Sequence, residues 1–441
     1  MGYREYFAGK RITLMGLGLL GRGVGDARFL ASLGAELIIT DLKSEVELTD
    51  SLAQLKEYKN ITYRLGGHRL EDFQNRDLIL KAASVPLNSP YIAEAQKNKI
   101  PVRMSADLFM ELSGAMTVGI TGTRGKSTVT HLVAYILERA GKHVLLGGNV
   151  RGISTLALLP EVTKDSITVL ELDSWQMQGF GGAHMSPHIA VLTTFMPDHM
   201  NYYGEDMKKY FADKANVFLN QTPEDYFILG EQAAPFVEKY GYKNKVRAHT
   251  TIAGTKDIPK SWKLRIPGEH NRYDVGVAVA AARALGLDDK EIRSGVELFE
   301  GVPGRLEFIK EVKGVKIYND TTATTPEATL VALRALDTGE KNVVLIMGGA
   351  DKGLDMSELV LEVSTRAKKV FLLAGTGTDR IKNSLEGTMI YHSIADAVSN
   401  AFKLAGPGDM LLLSPAFASF GMFKNEYDRG EQFNKTVELL S

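Results

Sequence analysis

Short runs of branched and aliphatic residues alternate with amphipathic stretches of about 10–15 residues along almost the whole chain. This pattern predicts strands joined by crossover helices, and therefore an α/β fold built on parallel sheets. Three stretches read as domain starts. The first runs from Arg11 (RITLMGLGLLG) through a helical pattern to AELIITD, which closes at Asp41. The second begins near Ala115 (AMTVGITGTRGKSTV) and continues into KHVLLGGN, SITVLELD and HIAVLTTF. The third contains NVVLIMGGADKG, KVFLLAGTG and DMLLLSPAFASF, strand runs that end in glycine or small polar residues. Two boundaries are expected: the Lys97 to Asp107 segment, which carries Pro101, and the EGVPG segment from Glu300 to Gly304. There Gly301, Pro303 and Gly304 separate a helical pattern from an expected hairpin, EFIKEVKGVKIYND, turning at Lys313 and Gly314.

At 441 residues the chain has length for about three domains. Lys plus Arg total 52 and Asp plus Glu 53, a net charge of −1. That balance argues against a polyanion-binding surface, so no nucleic-acid partner is expected, and against a disordered acidic chain. The absence of cysteine excludes disulfides, thiolate metal sites and a cysteine nucleophile. No apolar run reaches the roughly 18 residues of a membrane span. The uncharged stretch Ile12 to Gly21 follows Lys10 and Arg11 and imitates a signal-peptide core, but Gly16, Gly18 and Gly21 break it and no cleavage site follows. It reads as a strand and turn, so a cytoplasmic protein without membrane insertion is expected.

The segment TGTRGKST, Thr121 to Thr128, follows a strand run and opens a helical pattern, the setting a phosphate-binding loop needs. Gly122 and Gly125 let backbone N–H groups face a polyphosphate, Lys126 reaches its terminal oxygens, and the Ser127 hydroxyl suits Mg²⁺. Ile120 stands where the strict motif has its first glycine. Gly16-x-Gly18-x-x-Gly21 also joins a strand to a helix, a pattern shared by nucleotide cradles and by simple tight packing. The amides of the turn through Leu19 and Leu20 would face a pyrophosphate, with Asp41 and Lys43 near the base. Glu171 ends the run ITVLEL, where a carboxylate beside the phosphate loop can share a cation with Ser127; a solvated strand-end acid is the alternative. Asp198 and His199 follow the run AVLTTF in the same way. His270 and Asn271 precede an alanine-rich helix and suit either a nucleotide contact or a helix cap. Arg305, Asp320 and Lys352 lie in small-residue loops after strands, as binding residues or as surface charges.

The order of these pieces resembles the Mur ligases. GLGLLG, GTRGKST, GGNV (147–150), LELDSWQ (170–176), DHM (198–200), YFADKANVF around Lys214, GEHN (268–271), GRLE (304–307), NDTTAT (319–324), GGADKG (348–353) and SPAFASFGMFKN (414–425) cover essentially the whole chain. The shortened phosphate loop is the family's form, with Arg124 where asparagine is commoner. The resemblance implies a Rossmann-like domain for a UDP-linked substrate (1–106), a central ATPase-type domain (107–302) and a Rossmann-like C-terminal domain (303–441). It implies ATP bound by the loop Gly122, Thr123, Arg124, Gly125, Lys126, Ser127 and Thr128, and by Asn271, Arg305 and Asp320. One Mg²⁺ would lie on Ser127 and Glu171, and a second on His199 and Lys214, with Lys214 carbamylated. Asn149 would contact the UDP-sugar, and Lys352 and Ser419 an incoming glutamate.

The activity implied is ATP-driven addition of glutamate, the D isomer favoured, to UDP-N-acetylmuramoyl-L-alanine by a monomer. Four departures touch this reading. Asp274 stands where a second asparagine often contacts adenine, Ser84-Val85-Pro86 replaces a Ser-Pro-Gly, Thr322 replaces a lysine, and Glu426 replaces an aromatic residue near glutamate. A sibling ligase adding L-glutamate or L-alanine is the nearest alternative. Folylpolyglutamate synthase lacks the first domain that residues 11–41 supply here. A non-catalytic nucleotide-binding regulator would need none of Glu171, His199 and Lys352, and a dehydrogenase would leave the phosphate loop unexplained.

Overall fold

The computed structural model describes residues 2–385 and 387–441. It divides into two compact units, one comprising the residues up to Pro259 with Asp274–Gly295, the other Lys260–Tyr273 with Val296–Ser441.

The first unit carries two wholly parallel sheets. Strands β1 (Arg11–Met15), β2 (Glu36–Asp41), β3 (Ile61–Leu65), β4 (Leu78–Lys81) and β5 (Val102–Arg103) form the first, in the order β3-β2-β1-β4-β5. β1 and β4 are nearly continuous apolar runs because helices cover both faces of a parallel sheet. The Lys97 to Asp107 segment, expected as a boundary, holds the last strand of this sheet and then opens the helix Ser105–Ser113. Strands β6 (Met116–Thr121), β7 (His143–Gly148), β8 (Ser166–Glu171), β9 (Ile189–Leu192), β10 (Tyr226–Gly230) and β11 (His249–Ala253) form the second sheet, in the order β11-β10-β9-β6-β8-β7. The core under the first sheet includes Ile12, Leu30 and Leu78 and takes in Leu145, Leu156 and Leu159 from the second region. Phe180, Phe195, Phe211 and Phe227 fill the other main core of this unit.

The second unit holds β12 (Glu307–Val312), β13 (Val315–Asn319), β14 (Val343–Gly348), β15 (Ala367–Leu373), β16 (Met389–Tyr391) and β17 (Met410–Leu413), in the order β12-β13-β17-β14-β15-β16. All its pairs are parallel except the β12–β13 hairpin. That hairpin turns at Lys313 (φ 51°) and Gly314 (φ 78°), where a two-residue turn matching strand twist needs positive φ at both positions. Alternate residues of β14 serve opposite faces: Leu345 and Met347 enter one core, Val344 and Ile346 the other. Among the described residues no helix is long and apolar enough to cross a membrane.

Candidate active site

β6 ends at Thr121 and the helix Lys126–Arg139 starts just beyond, so the glycine-rich loop turns from strand to helix as its pattern requires. Gly125 (φ 84°) caps that helix in the left-handed region, and a Cβ there would lie 2.2 Å from Asp274 Oδ1. Asp274, which stands where an adenine-contacting asparagine is common, is buried against the loop. The end of β9 braces the loop. Thr193 Oγ1 donates to the Arg124 carbonyl (2.6 Å), Arg124 N–H donates to Thr194 Oγ1 (2.8 Å), and Thr123 N–H donates to the Thr194 carbonyl (2.8 Å). Sequence reasoning assigned nothing to Thr193 and Thr194, although their place at a strand end beside the loop was visible in HIAVLTTF. Lys126 Nζ folds back to donate to the carbonyls of Gly122 and Thr123, both at 3.1 Å. The N–H groups of the first helical turn and this ammonium make an anion site. Thr128 lies within the same turn.

Strand register brings the next residues to the loop. Ile120 on β6 pairs with Glu171 on β8, and Gly148 on β7 pairs with Glu171 from the other side. Ser127 and Glu171 are both buried. Asn149 Nδ2 donates to Glu171 Oε1 (3.0 Å), and Asn149 Oδ1 accepts a close hydrogen bond from Arg22 Nη1. Among the described residues no three His, Cys, Asp or Glu side chains gather as a metal cluster. The donors here are a hydroxyl and a carboxylate at the mouth of a phosphate loop. Such hard oxygens, completed by phosphate oxygens and water, fit Mg²⁺.

Lys214, on the helix Met207–Ala215, is 1% exposed and donates from Nζ to the Gly122 carbonyl at 2.8 Å. Its ammonium lies 4.8 Å from the Tyr210 ring centre. Burial, with Lys126 close by, pushes its pKa well down, against the opposing pull of Asp173, Asp198 and Asp213. His199 takes positive φ (55°) at the start of the short helix Met200–Tyr203 and packs against the Trp175 ring, centroids 4.7 Å apart. Burial lowers its pKa, Asp198 opposes this, and the charges of Lys126 and Lys214 add to the lowering. Asp198 accepts from Arg124 Nη1 at 2.8 Å, so the expected phosphate-loop arginine is held by an acid from β9's trailing loop.

The turn after β1 projects Leu19 and Leu20 outward, 57% and 38% exposed. Asp41 binds this turn directly, one carboxylate oxygen accepting from Gly18 N–H (3.0 Å) and the other from Lys43 N–H (2.9 Å). A cavity of about 460 Å³ joins the turn to the phosphate loop: Gly16, Leu19 and Leu20 line it together with Asn149, Lys126 and His199.

In the second unit, the loops after β13, β14 and β17, three adjacent strands, converge. Ala350 and Ala418 pair across two backbone hydrogen bonds of 2.9 and 3.2 Å, which joins GGADKG to SPAFAS. Lys352 Nζ donates to Thr324 Oγ1 at 2.9 Å, and Ser419 is buried beside this pairing. Asp320 is buried, accepting from Leu306 N–H (3.0 Å) and Ser414 Oγ (2.8 Å); burial pushes its pKa up to about 7 despite these bonds and the nearby Arg305 and Arg429. Arg305 is exposed. Asn271 Nδ2 donates to the Pro267 carbonyl at 2.6 Å, tying the start of the helix Glu269–Ala284 to the preceding loop. Arg429 is fully buried and donates to Thr321 and to the Phe417 carbonyl, linking two of the three loops. Glu426 opens the last helix half-buried, with its carbonyl accepting from Thr321 Oγ1 at 2.7 Å.

Parallel sheets that bring a phosphate loop, a strand-end acid and a charge-suppressed lysine together define a nucleotide-dependent phosphoryl-transfer protein. Residues 120–282 match the Mur ligase middle domain, and residues 304–417 match the Mur ligase, glutamate ligase domain. The UDP-N-acetylmuramoylalanine--D-glutamate ligase of Roseiflexus sp. is 36% identical over 98% of this chain and 99% of its own. That of Borreliella afzelii is 35% identical over 97% of both chains. In fold, the chain is similar to UDP-N-acetylmuramate-alanine ligase from Thermotoga maritima (TM-score 0.62, 17% identity, 97% of this chain and 99% of that one). It is also similar to MurF ligase from the same organism, solved with ADP (TM-score 0.59, 16% identity, 91% and 95%). The chain belongs to the Mur ligase family and is an ATP-dependent amide ligase.

Proposed function

We propose that this ligase serves peptidoglycan precursor synthesis by joining D-glutamate to UDP-N-acetylmuramoyl-L-alanine, with release of ADP and phosphate. The observation that carries this reading is one continuous cavity that the Gly16–Leu20 turn shares with Lys126 and His199. A substrate with a nucleotide at one end and a carboxylate at the other would span it, its pyrophosphate at the turn and its carboxylate at the phosphate loop. On this reading residues 1–106, 107–302 and 303–441 handle the UDP-sugar, ATP and glutamate respectively, in a cytoplasmic monomer.

A carboxylate does not accept an amine unaided, because oxide would have to leave. Its oxygen instead attacks the γ-phosphorus of ATP, and ADP departs, leaving an acyl phosphate. The neutral amine of glutamate then adds to the carbonyl carbon; the tetrahedral adduct collapses to the amide and expels phosphate, and the proton lost from nitrogen goes to the surroundings. Protein groups mainly position and neutralise the anions that meet here. Lys126 and Arg305 serve the phosphates, Asn271 and Asp320 the rest of ATP, and Asn149, Leu19, Leu20, Asp41 and Lys43 the UDP-sugar. Mg²⁺ on Ser127 and Glu171, with a second ion on His199 and a carbamylated Lys214, would supply charge for the transferring phosphoryl group.

Lys352 and Ser419 are assigned to the acceptor, because they lie on two loops that pair directly and both follow strands. Removing a charge-assisted hydrogen bond to a carboxylate costs roughly tenfold or more in affinity. Lys352→Ala is therefore expected to raise the KM for glutamate by about that factor and to spare the KM for ATP. Phosphate release measured with UDP-N-acetylmuramoyl-L-alanine and a panel of amino acids tests the substrate pair. Saturation by D-glutamate is expected; saturation by L-glutamate alone would move the protein to the L-adding group, and an unchanged KM in Lys352→Ala would remove that residue from the pocket.

A further inference from the structure

Lys81 is the last residue of β4 and pairs in register with Met15, the last residue of β1, immediately before the Gly16–Leu20 turn begins. Its side chain is 3% exposed and lines the cavity. Nζ donates to two backbone carbonyls, Val85 at 3.0 Å and Ala82 at 3.4 Å, and among the described residues it has no carboxylate at ion-pair distance. A buried ammonium normally has an anionic partner, since desolvation of the charge is otherwise poorly compensated. Two carbonyls, one of them distant, compensate only part of it. Arg22 lines the same wall as the first residue of the helix Arg22–Ser32. A cation at that end of a helix opposes the helix dipole unless an anion lies between them.

Resting on the substrate proposed above, we infer that Lys81 is a binding residue for the pyrophosphate of the UDP-linked substrate, a desolvated cation placed beside the turn to meet it, with Arg22 as the second arm of the clamp. Of the substrate's two anionic groups, the carboxylate must lie at Lys126 to be phosphorylated, so the group at the Lys81 end is the pyrophosphate. A cation already stripped of water and held by the Ala82–Val85 turn binds an incoming dianion without reorganising. The charged groups around it are Asp107 on the helix Ser105–Ser113, Asp173 at the start of the helix Ser174–Gly182, and Asp213 on the helix Met207–Ala215, with Arg22, the buried Asp26 one turn beyond it, Lys126 and His199 along the cavity. Burial pulls the Lys81 pKa down to about 8 against those three acids. An anion arriving beside it would raise that pKa, so binding near pH 8 should draw in protons from the buffer.

The full-length protein, its Lys81→Met variant and its Lys81→Arg variant test this with UDP-N-acetylmuramoyl-L-alanine itself. Lys81→Met is expected to raise the KM for the UDP-sugar about tenfold, with the KM values for ATP and glutamate and kcat held within about twofold. Lys81→Arg keeps the charge and should recover most of the loss. Calorimetry at pH 8 in buffers of differing ionisation heat should show uptake of a fraction of a proton on binding to the wild type and less in Lys81→Met. An unchanged UDP-sugar KM in Lys81→Met would reduce Lys81 to a support for the turn. Should Lys81→Met not fold, Lys81→Gln, polar at its end but uncharged, takes its place with the same expected rise in the UDP-sugar KM. A wild type that does not bind the UDP-sugar at all would instead overturn the substrate reading, and this inference with it.

Discussion

Lys126→Ala is expected to lower kcat on the order of 10³-fold while leaving the circular dichroism spectrum of the protein unchanged. The ammonium is half-buried and donates to two carbonyls of its own loop, Gly122 and Thr123. It contributes little to any apolar core, so its loss should not unfold the first unit. What it would lose is a positive charge at the place where the γ-phosphoryl group carries its charge between two oxygens. The loop around it is held independently, by Thr193 and Thr194 from the end of β9, and should keep its shape without the lysine. A folded Lys126→Ala protein that releases phosphate at near wild-type rates would mean that ATP is bound elsewhere.

Lys214→Ala should be nearly as damaging, with kcat reduced roughly 10²- to 10³-fold, and formate or acetate should restore part of the rate. Burial and the neighbouring Lys126 hold the Lys214 amine toward its neutral form. A neutral amine can add to carbon dioxide, forming an N–C bond and losing one proton, and so become an anionic carbamate. That reaction requires the unprotonated amine. As pH falls the ammonium re-forms and the carbamate is lost, so wild-type activity should depend more steeply on dissolved carbon dioxide toward acid pH. A small carboxylate diffusing into the space left by alanine supplies the same charge without the covalent bond. Full activity of Lys214→Ala without any added carboxylate would take the lysine out of the mechanism.

The elements built from local pattern were legible in the chain. The parallel strands show as apolar runs, the TGTRGKST loop as a strand-to-helix turn, and the Lys313–Gly314 turn as Lys-Gly between two β-branched stretches. Glu171 was legible for a related reason, since a strand-end acid next to a phosphate loop needs only the parallel order to be placed. What escaped depends on contacts between segments far apart in sequence. Asp41 was expected near the base, but nothing local shows that its two oxygens also accept from Gly18 and Lys43 and so hold the turn. Lys81 drew no sequence reading, because nothing local shows that register sets it beside Met15 and under the cavity. Arg429 was legible as a base beside Glu426, but only the packing of its helix reveals that it ties Thr321 to Phe417.

The central claim is that the alanyl carboxylate of the UDP-sugar is activated by phosphorylation before glutamate attacks. Turnover of UDP-N-acetylmuramoyl-L-alanine labelled with ¹⁸O in that carboxylate, followed by mass spectrometry of the phosphate and of the product, tests it most directly. One labelled oxygen should appear in each phosphate released and the other should stay in the new amide. Unlabelled phosphate alongside amide product, or label recovered in a nucleotide monophosphate, would contradict the account.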